Sequence, residues 1–228
     1  MSQNGVLDRA PFFLFLQVSV NQENGKKKYC LGLTGGIATG KSTALEMISA
    51  KLPSVTIFDA DESVQRLLAQ SGIVSLIAES LKEGVQKGDG SLDRAALRKC
   101  VFEYPEKRKI LEELLHPKVR EECLEKREEW LKNNLSTMFV ADVPLLFEGA
   151  FRFSQDLNLV VATSTGTQRS RLRNRNHFDD SLISSILAAQ LPILEKVARA
   201  DLVFWNEGPR EVLQNQIDHF IDALTIHE

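Results

Sequence analysis

The sequence predicts an α/β protein whose parallel sheet is covered by helices on both faces. Short, continuously apolar runs recur along the chain, and stretches with the spacing of amphipathic helices separate them. Runs of this kind are typical of strands that are buried on both faces of a parallel sheet. A helix-rich stretch, residues 61–133, interrupts the alternation, and a second short insertion covers residues 167–195. We therefore expect one α/β core with two helical insertions.

Residues 1–28 precede the first strand of this core, and we expect them to lie outside the fold. The apolar run Pro11–Val20 is too short to span a bilayer. It has no net-positive leader and no small-residue cleavage site, so we expect no secretory signal. The lysines Lys26, Lys27 and Lys28 then end a polar stretch that is typical of a solvated linker. We interpret the segment as an appendage, since chain termini are commonly disordered, with a functional arm as the alternative.

Two apolar runs with a helical pattern between them begin the core. The runs are Cys30–Thr34, which is broken by glycines, and Val55–Phe58, which leads into Asp59-Ala60-Asp61. Between them, apolar residues recur at helical spacing until Pro53 stops the pattern. These residues are Ala44, Leu45, Ile48 and Leu52. The predicted order is therefore strand, helix, strand.

The helix-rich stretch contains three predicted helix starts, and three strands are predicted after it. Asp93 is a typical N-cap residue, Pro105 suits the first turn of a second helix, and Pro117 that of a third. The third helix is densely charged, which indicates a solvated face without chemistry.

Three further strands are predicted after this stretch, each from a short apolar run. The runs are Met138–Ala141, Leu157–Ala162 and Leu202–Trp205.

Composition and charge argue against several classes of protein. The chain has 28 Lys and Arg against 31 Asp and Glu, a formal net charge of −3, and lacks the basic surplus of a general nucleic-acid binder. Cys30, Cys100 and Cys123 are far apart and form no C-x-x-C pair, which is typical of reduced cysteines in a cytosolic protein. We expect a cytoplasmic protein with no zinc site, no nucleic-acid partner and no membrane partner.

The segment Gly35–Ser42, Gly-Gly-Ile-Ala-Thr-Gly-Lys-Ser, matches the P-loop pattern G-x-x-x-x-G-K-[ST], and we call it the phosphate cradle. Its glycines let consecutive N–H groups point at phosphate oxygens, and the helix that follows adds its dipole. Lys41 is expected to neutralise β- and γ-phosphate oxygens, and the Ser42 hydroxyl to hold Mg²⁺. The predicted contacts to the nucleoside triphosphate are Gly35, Gly36, Ile37, Ala38, Thr39, Gly40, Lys41, Ser42 and Thr43.

Three acidic residues follow predicted strands. Asp59 and Asp61 end the second core strand, where ligands of open α/β sheets gather. A carboxylate there can accept the proton of an attacking hydroxyl during phosphoryl transfer, and Asp61 has the N-cap of the next helix as its alternative role. Asp142 ends an apolar run as the acid of a Walker B strand does. It could accept a hydrogen bond from Mg²⁺-bound water or from Ser42.

Arginine occupies every second position in part of the second insertion. The four residues are Arg169, Arg171, Arg173 and Arg175. On a helix, Arg171 and Arg175 share one face and the other two share nearly the opposite face. The two pairs cannot both reach one phosphate site from a single rigid helix. We therefore expect one pair to contact the triphosphate and the other to contact solvent or acidic neighbours. Arginines of this kind suit a lid that neutralises charge on closure. A plain solvated basic helix is the alternative.

These segments, in this order, resemble the dephospho-coenzyme A kinases over about residues 29–208. The matching segments are Gly32–Thr43, Asp59–Asp61, Ser91–Phe102, Leu111–Arg120, Asp142–Ala150 and the run from Thr167 through Gln190 to Asn206. The resemblance implies ATP-dependent phosphorylation of the ribose 3′-hydroxyl of dephospho-CoA, which gives CoA and ADP in the last step of coenzyme A biosynthesis. The guanine-reading and switch motifs of a GTPase are absent from the sequence.

The resemblance also assigns roles to particular residues. Asp61 matches the family's catalytic acid, and Arg171 and Arg175 match its lid arginines. The implied substrate-side residues are Asp59, His116 and Glu148. His116 has a helix cap before Pro117 as its alternative, and Glu148 has a purely structural cap. Asn206 is expected to border the adenine pocket.

The implied organisation is a nucleotide-binding core, an acceptor-binding insertion and a lid. The core comprises residues 29–60, 134–166 and 196–228, the insertion residues 61–133, and the lid residues 167–195. We expect a monomer or a weak homo-oligomer. The alternatives are another P-loop kinase with a nucleoside monophosphate as acceptor, and a non-catalytic regulator that binds a nucleoside triphosphate.

Three positions depart from the family pattern. Ala38 replaces the usual third glycine of the cradle, so we expect this turn to avoid a strictly glycine-only conformation. Gln65, with Arg66 beside it, replaces a basic residue in the helix after Asp61, and Ile186 replaces a lid arginine. These changes put individual acceptor and lid contacts in question.

Overall fold

A computed structural model describes residues 21–23, 26–133, 135–176 and 178–225 of the chain. The short strand β1 (Asn21–Glu23) pairs antiparallel with the start of the next strand. The strands that follow are β2 (Lys26–Gly35), β3 (Thr56–Asp59), β4 (Met138–Asp142), β5 (Leu157–Ala162) and β6 (Leu202–Trp205). They form a parallel sheet in the order β3-β4-β2-β5-β6.

Helices cover both faces of this sheet. The helices of the described residues are α1 (Lys41–Lys51), α2 (Ala60–Leu67), α3 (Ser71–Leu81), α4 (Arg94–Glu103), α5 (Pro105–Lys132), α6 (Thr165–Asn176), α7 (Asp180–Ala188), α8 (Ile193–Ala198) and α9 (Arg210–Thr225). Of these, α3 and α4 pack against α5, and α7 packs against α6. Successive strand residues enter different cores: Leu31 packs with Ile48 and Ile217 on the side of α1 and α9, and Cys30 packs with Trp130 of α5. The predicted parallel sheet with two covered faces is confirmed.

The long helix α5 differs from its prediction. The expected helix starts at Asp93 and Pro105 are confirmed, but Pro117 lies inside α5 and opens no third helix. Proline cannot donate to the carbonyl four residues earlier, which normally weakens a helix. Residues at helical spacing on both sides of it are nevertheless buried in one core: Leu115, Val119, Cys123 and Trp130. This continuous apolar face offsets the missing hydrogen bond and carries the helix through the proline.

Lys28 belongs to the core, so the interpretation of residues 26–28 as a solvated linker is wrong. These residues begin β2, and the Lys28 side chain is only 2% exposed. Its Nζ donates to the carbonyl oxygens of Trp130, Leu131 and Asn133 at 3.0, 2.6 and 2.7 Å. The last carbonyls of a helix lack partners within the helix. The Lys28 ammonium therefore caps the end of α5.

One described stretch, Asp180–Ala198, is apolar and long enough to cross a membrane by length and composition alone. The structure divides it between α7 and α8, with Ile183 and Ile193 buried in the protein. A helical span needs about 20 continuous helical residues. The stretch therefore does not form the single helix that a span requires. The earlier apolar run, Pro11–Val20, lies outside the described residues.

Candidate active site

The carboxyl ends of β3 and β4 bring acidic side chains beside the end of β2, where the cradle starts. Asp59 at the end of β3 pairs in register with Asp142 at the end of β4. On the other side of β4, Leu33 of β2 pairs in register with Asp142, and Gly35 follows two residues later as the first cradle residue. Ligands of parallel sheets bind beyond this edge of the strands. The acids and the cradle therefore face one ligand-binding edge.

The turn of the cradle requires glycine at position 40. Gly40 is the N-cap of α1 with a φ of 94°, and a Cβ there would lie 2.2 Å from Asn206 Nδ2. Because Gly40 has no side chain to bond the first amides of α1, these amides and the helix dipole can receive an anion. Ala38 has a φ of 60°, a left-handed conformation that favours glycine. Alanine adopts this turn at a cost in backbone strain.

Amide side chains from later segments hold the outer side of the cradle. Gln168 Nε2 donates to Ile37 O at 2.7 Å, and Gln190 Oε1 accepts from Ile37 N at 2.9 Å. Asn206 Nδ2 donates to Thr39 O at 2.8 Å. The contacts of Gln168 and Gln190 were not foreseen, because a single glutamine in a helical or turn segment carries no pattern that indicates its partner.

Arg171 binds the cradle backbone directly. Its Nη1 donates to the carbonyl oxygens of Ala38 and Thr39 at 3.1 and 3.2 Å, and its Nη2 donates to Asn206 O at 3.1 Å. These bonds engage the carbonyls of a segment whose N–H groups are expected to face phosphate. A guanidinium has several donors in a fixed plane, which suits it to this bridging role.

The two arginine pairs of α6 lie on different sides of the helix. Arg171 and Arg175 both line a cavity of about 920 Å³ beside the cradle. Arg169 instead donates to a serine of α7 at 3.0 Å, and Arg173 forms an exposed ion pair with Asp180. This arrangement has the two faces that the i, i+4 spacing predicts.

The cavity beside the cradle combines polar and apolar walls. Ala38 and Thr43 of the cradle region lie on one side, and Phe178 and Leu213 contribute apolar surface. Its volume falls in the range of small-molecule sites, about 300 to 1,000 Å³. The buried Asn206 also lines it. Cationic groups beside an apolar wall suit a ligand with a flat base and a charged tail.

Lys41 and Asp142 form a largely buried ion pair at the base of the cradle. Burial raises the pKa of Asp142, the Lys41 charge lowers it, and the charges of Asp59 and Asp61 raise it again. Asp142 was expected to bond Ser42 or a Mg²⁺-bound water, whereas its observed partner is Lys41. The Ser42 side chain is exposed.

The Asp61 carboxylate does not cap α2, because Asp59 has that role. Asp59 Oδ1 accepts from Glu62 N at 2.9 Å, so Asp59 is the N-cap of α2 and the N-cap alternative for Asp61 is wrong. Asp61 lies in the first turn with an exposed side chain. Partial desolvation raises the pKa of Asp61, the Lys41 charge lowers it and the Asp59 charge raises it. Asp61 is therefore within electrostatic range of the cradle lysine.

The remaining predicted residues, His116 and Glu148, lie near the loop after β4. His116 is exposed in the middle of α5, so the helix-cap alternative is wrong, and a Cβ at Gly149 would lie 3.5 Å from its Cε1. Glu148 Oε1 pairs with the buried Lys196 at 2.8 Å and accepts from Leu191 N at 3.0 Å. The role of Lys196 was not foreseen, because a lysine in a charged helical segment usually indicates a solvated face.

The sequence and the fold are similar to those of known proteins. A family model described as dephospho-CoA kinase matches residues 29–211. The chain belongs to the dephospho-CoA kinase family. A dephospho-CoA kinase from Bacillus cereus is 38% identical over 190 residues, which cover 82% of this chain and 93% of the relative. The resemblance stated from the motifs is therefore confirmed. The predicted activity, that of an ATP-dependent kinase in the last step of coenzyme A biosynthesis, is confirmed with it.

Solved structures agree on the fold. A crystal structure of a Thermus thermophilus protein has a TM-score of 0.71 at 29% identity, and the match covers 87% of this chain and 98% of that one. A dephospho-CoA kinase from Campylobacter jejuni has a TM-score of 0.59 at 24% identity, and the match covers 86% of this chain and 97% of that one. The P-loop kinase fold is therefore shared along most of the chain.

Proposed function

We propose that Asp61 is the general base of this kinase. It accepts the proton of the ribose 3′-hydroxyl of dephospho-CoA as that oxygen attacks the γ-phosphorus of ATP, which yields CoA and ADP. The observation that carries this proposal is the exposed Asp61 carboxylate beside the end of β3, in electrostatic range of Lys41. Desolvation raises its pKa, which makes the carboxylate a stronger proton acceptor than one in water.

The phosphates of ATP are proposed to bind the cradle amides, residues 35–43, with the base in the cavity that Asn206 lines. Lys41 neutralises oxygens of the β- and γ-phosphates, as a P-loop lysine does. The open N-terminus of α1 and the apolar wall of the cavity support this placement. Asn206 borders the base while it holds the carbonyl of Thr39.

Arg171 and Arg175 are proposed to stabilise the charge of the transferring phosphoryl group. Both line the nucleotide cavity, and Arg175 is exposed at its mouth. Closure of the lid, residues 167–195, brings Arg175 to the triphosphate and excludes water from the site. Arg171 acts from the cradle side, where its guanidinium already bonds the backbone.

Ser42 and Asp142 are proposed to hold Mg²⁺. Hydroxyl, carboxylate and water oxygens are the ligands that Mg²⁺ prefers. The residues present fit such an ion, because Asp142 ends its strand in register with Asp59, and Ser42 offers an exposed hydroxyl at the start of α1. Mg²⁺ there supplies charge neutralisation at the β- and γ-phosphates.

The acceptor is proposed to bind on the side of the insertion, residues 61–133, with Asp59 and His116 beside it. The exposed His116 next to the loop after β4 supports this placement. Glu148 lies in that loop, but Lys196 and Leu191 engage its carboxylate. We therefore assign Glu148 no contact with the acceptor.

The enzyme is proposed to act in the cytoplasm as a monomer or weak homo-oligomer, without a nucleic-acid or membrane partner. The net charge of −3 supports the absence of a nucleic-acid partner. Cys30, Cys100 and Cys123 are free and buried. Unpaired cysteines support a compartment that keeps thiols reduced. Burial raises the pKa of Cys30 and of Cys123 to about 12, so these two thiols are poor nucleophiles.

The activity is tested by ADP formation with dephospho-CoA, with AMP, and without an acceptor. ADP formation that depends on dephospho-CoA and stops when EDTA removes Mg²⁺ supports the proposal. Turnover with AMP alone would indicate a nucleoside monophosphate kinase. Tight ATP binding without any turnover would indicate a regulator. Full turnover in EDTA would contradict the assignment of Ser42 and Asp142 to a metal.

A further inference from the structure

Lys196 is a fully buried lysine that touches the start of the cradle. Its side chain is 0% exposed, although lysine is among the residues least often buried. The ammonium donates to Gly35 O at 3.1 Å and to Pro144 O at 3.0 Å, and it pairs with Glu148 Oε1 at 2.8 Å. Its donors are therefore satisfied by two carbonyls and one carboxylate.

The two carbonyls belong to the two halves of the phosphate site. Gly35 ends β2 and begins the cradle, and Pro144 follows Asp142, the partner of Lys41, by two residues. Thr34 Oγ1 also donates to Pro144 O, at 3.0 Å. One ammonium thus fixes the distance between the cradle and the strand end that carries Asp142.

Glu148 extends this connection to the end of the lid. Its Oε1 also accepts from Leu191 N at 3.0 Å, and the preceding residue, Gln190, accepts from Ile37 N of the cradle at 2.9 Å. The carboxylate also compensates the buried charge of Lys196, which would otherwise be costly. The same pair therefore joins the cradle, the loop after β4 and the last residues of the lid.

We propose that Lys196 and Glu148 are positioning residues for phosphoryl transfer, which hold the cradle and Asp142 in register and couple them to the lid. Neither residue needs to touch a substrate for this role. A displacement of reacting groups by about 1 Å can lower a rate on the order of 100-fold, so loss of the pair acts on turnover more than on binding. The proposal rests on the reaction of the family and not on the role of Asp61.

The test compares Lys196→Met with the double variant Lys196→Met/Glu148→Leu. The single variant leaves a buried carboxylate unpaired, so it loses both thermal stability and kcat, the latter by about 10- to 100-fold. The double variant removes both charges, so its unfolding midpoint returns toward that of the wild type. Its kcat stays low, because no ammonium joins Gly35 O to Pro144 O any longer, and Pro144 O keeps only the Thr34 hydroxyl as a donor. Recovery of kcat together with stability overturns the proposal.

Lys28→Met is the matched control. Lys28 is also buried and donates to three carbonyls, but these lie at the end of α5. The control loses stability while its kcat, measured well below its unfolding temperature, stays within about 2-fold of the wild type. A loss of kcat as large as that of Lys196→Met would mean that destabilisation alone explains both and would overturn the proposal.

Glu148→Gln keeps the shape of the side chain and serves if Lys196→Met does not fold. The amide oxygen can still accept from Leu191 N, while the charge that holds Lys196 is lost. We expect kcat to fall by about 10-fold with the KM for dephospho-CoA within about 3-fold of the wild type. A large rise in that KM at unchanged kcat would place Glu148 in the acceptor pocket and contradict its positioning role.

Discussion

Ala38 stores backbone strain in the turn that is expected to bind phosphate. Its φ of 60° costs an L-residue about 1 to 2 kcal/mol, and glycine adopts it freely. Glycine also raises the conformational entropy of the unfolded chain, which lowers the free energy of unfolding by about 0.4 to 1 kcal/mol. We therefore expect Ala38→Gly to raise the free energy of unfolding by about 0.8 kcal/mol, the difference between the midpoints of these two ranges, measured by denaturant titration.

Ala50 offers the control for this prediction, because it is an exposed residue of α1. Ala50→Gly should lower the free energy of unfolding by about 1 kcal/mol. A loss of similar size in Ala38→Gly would show that the turn is not strained.

The Glu207 carboxylate accepts several hydrogen bonds at the start of α6. It accepts from Ser164 N at 2.9 Å, from Ser164 Oγ at 3.1 Å, and from the hydroxyls of Thr163 and Thr167. These hydrogen bonds, with the Ser164 backbone bond first, lower the pKa of Glu207 from 4.5 to about 2. Ser164 Oγ in turn accepts from Thr167 N, as an N-cap does. The carboxylate therefore holds the start of α6, the first helix of the proposed lid.

The lowered pKa of Glu207 predicts a defined pH dependence of stability. The folded state binds the proton less tightly than the unfolded state, so the contribution of Glu207 is complete above pH 4.5 and disappears as the pH falls toward 2. Glu207→Gln should cost about 1 to 2 kcal/mol at pH 7, and the difference from the wild type should shrink between those values. Urea unfolding at several pH values measures it. A difference that is constant down to pH 2 would contradict the assignment.

At the scale of elements, the end of α5 depends on one side chain outside the helix. Lys28→Met would leave the carbonyls of Trp130, Leu131 and Asn133 without their buried donor. We expect a loss of about 2 to 4 kcal/mol in the free energy of unfolding. The control is Lys132→Met, an exposed position on the same helix, which should change stability by less than about 0.5 kcal/mol. Equal effects of the two variants would rule out the cap.

One side chain of α9 also covers part of the sheet edge formed by β6. Gln216 of α9 accepts from Trp205 N at 2.9 Å and donates to Trp205 O at 3.0 Å. A free strand edge can pair with another chain, and this amide occupies both backbone groups of one edge residue. The edge strand β6 is thus partly covered without a further strand.

The strands could be predicted closely because their signal is local. The run predicted as Leu157–Ala162 has the bounds of β5, and Leu202–Trp205 has those of β6. The helix break at Pro117 was predicted wrongly, because local proline chemistry competes there with burial of a whole helix face against a distant core. Tertiary packing, which no short window of sequence contains, decides such cases.

At the scale of the molecule, local spacing in the sequence predicted the cradle and the two arginine faces of α6. It did not predict the side chains that hold the cradle in place. Lys196 and Gly35 are separated by 161 positions, and Gln190 and Ile37 by 153. Their pairing depends on the way in which the chain returns to the same sheet edge. The Lys28 cap, 102 positions from Trp130, has the same origin. The sequence indicates such groups as charged or polar, and only the fold identifies their partners.

The proposed mechanism of phosphoryl transfer depends on proton transfer to Asp61. The single-turnover rate of γ-phosphoryl transfer from ATP to dephospho-CoA tests it most directly, compared between the wild type, Asp61→Asn and the control Glu62→Gln. Asparagine cannot accept the proton, so we predict a rate on the order of 10² to 10⁴ lower with ATP affinity nearly unchanged, and a normal rate for the control. A near-normal rate in Asp61→Asn would contradict the account.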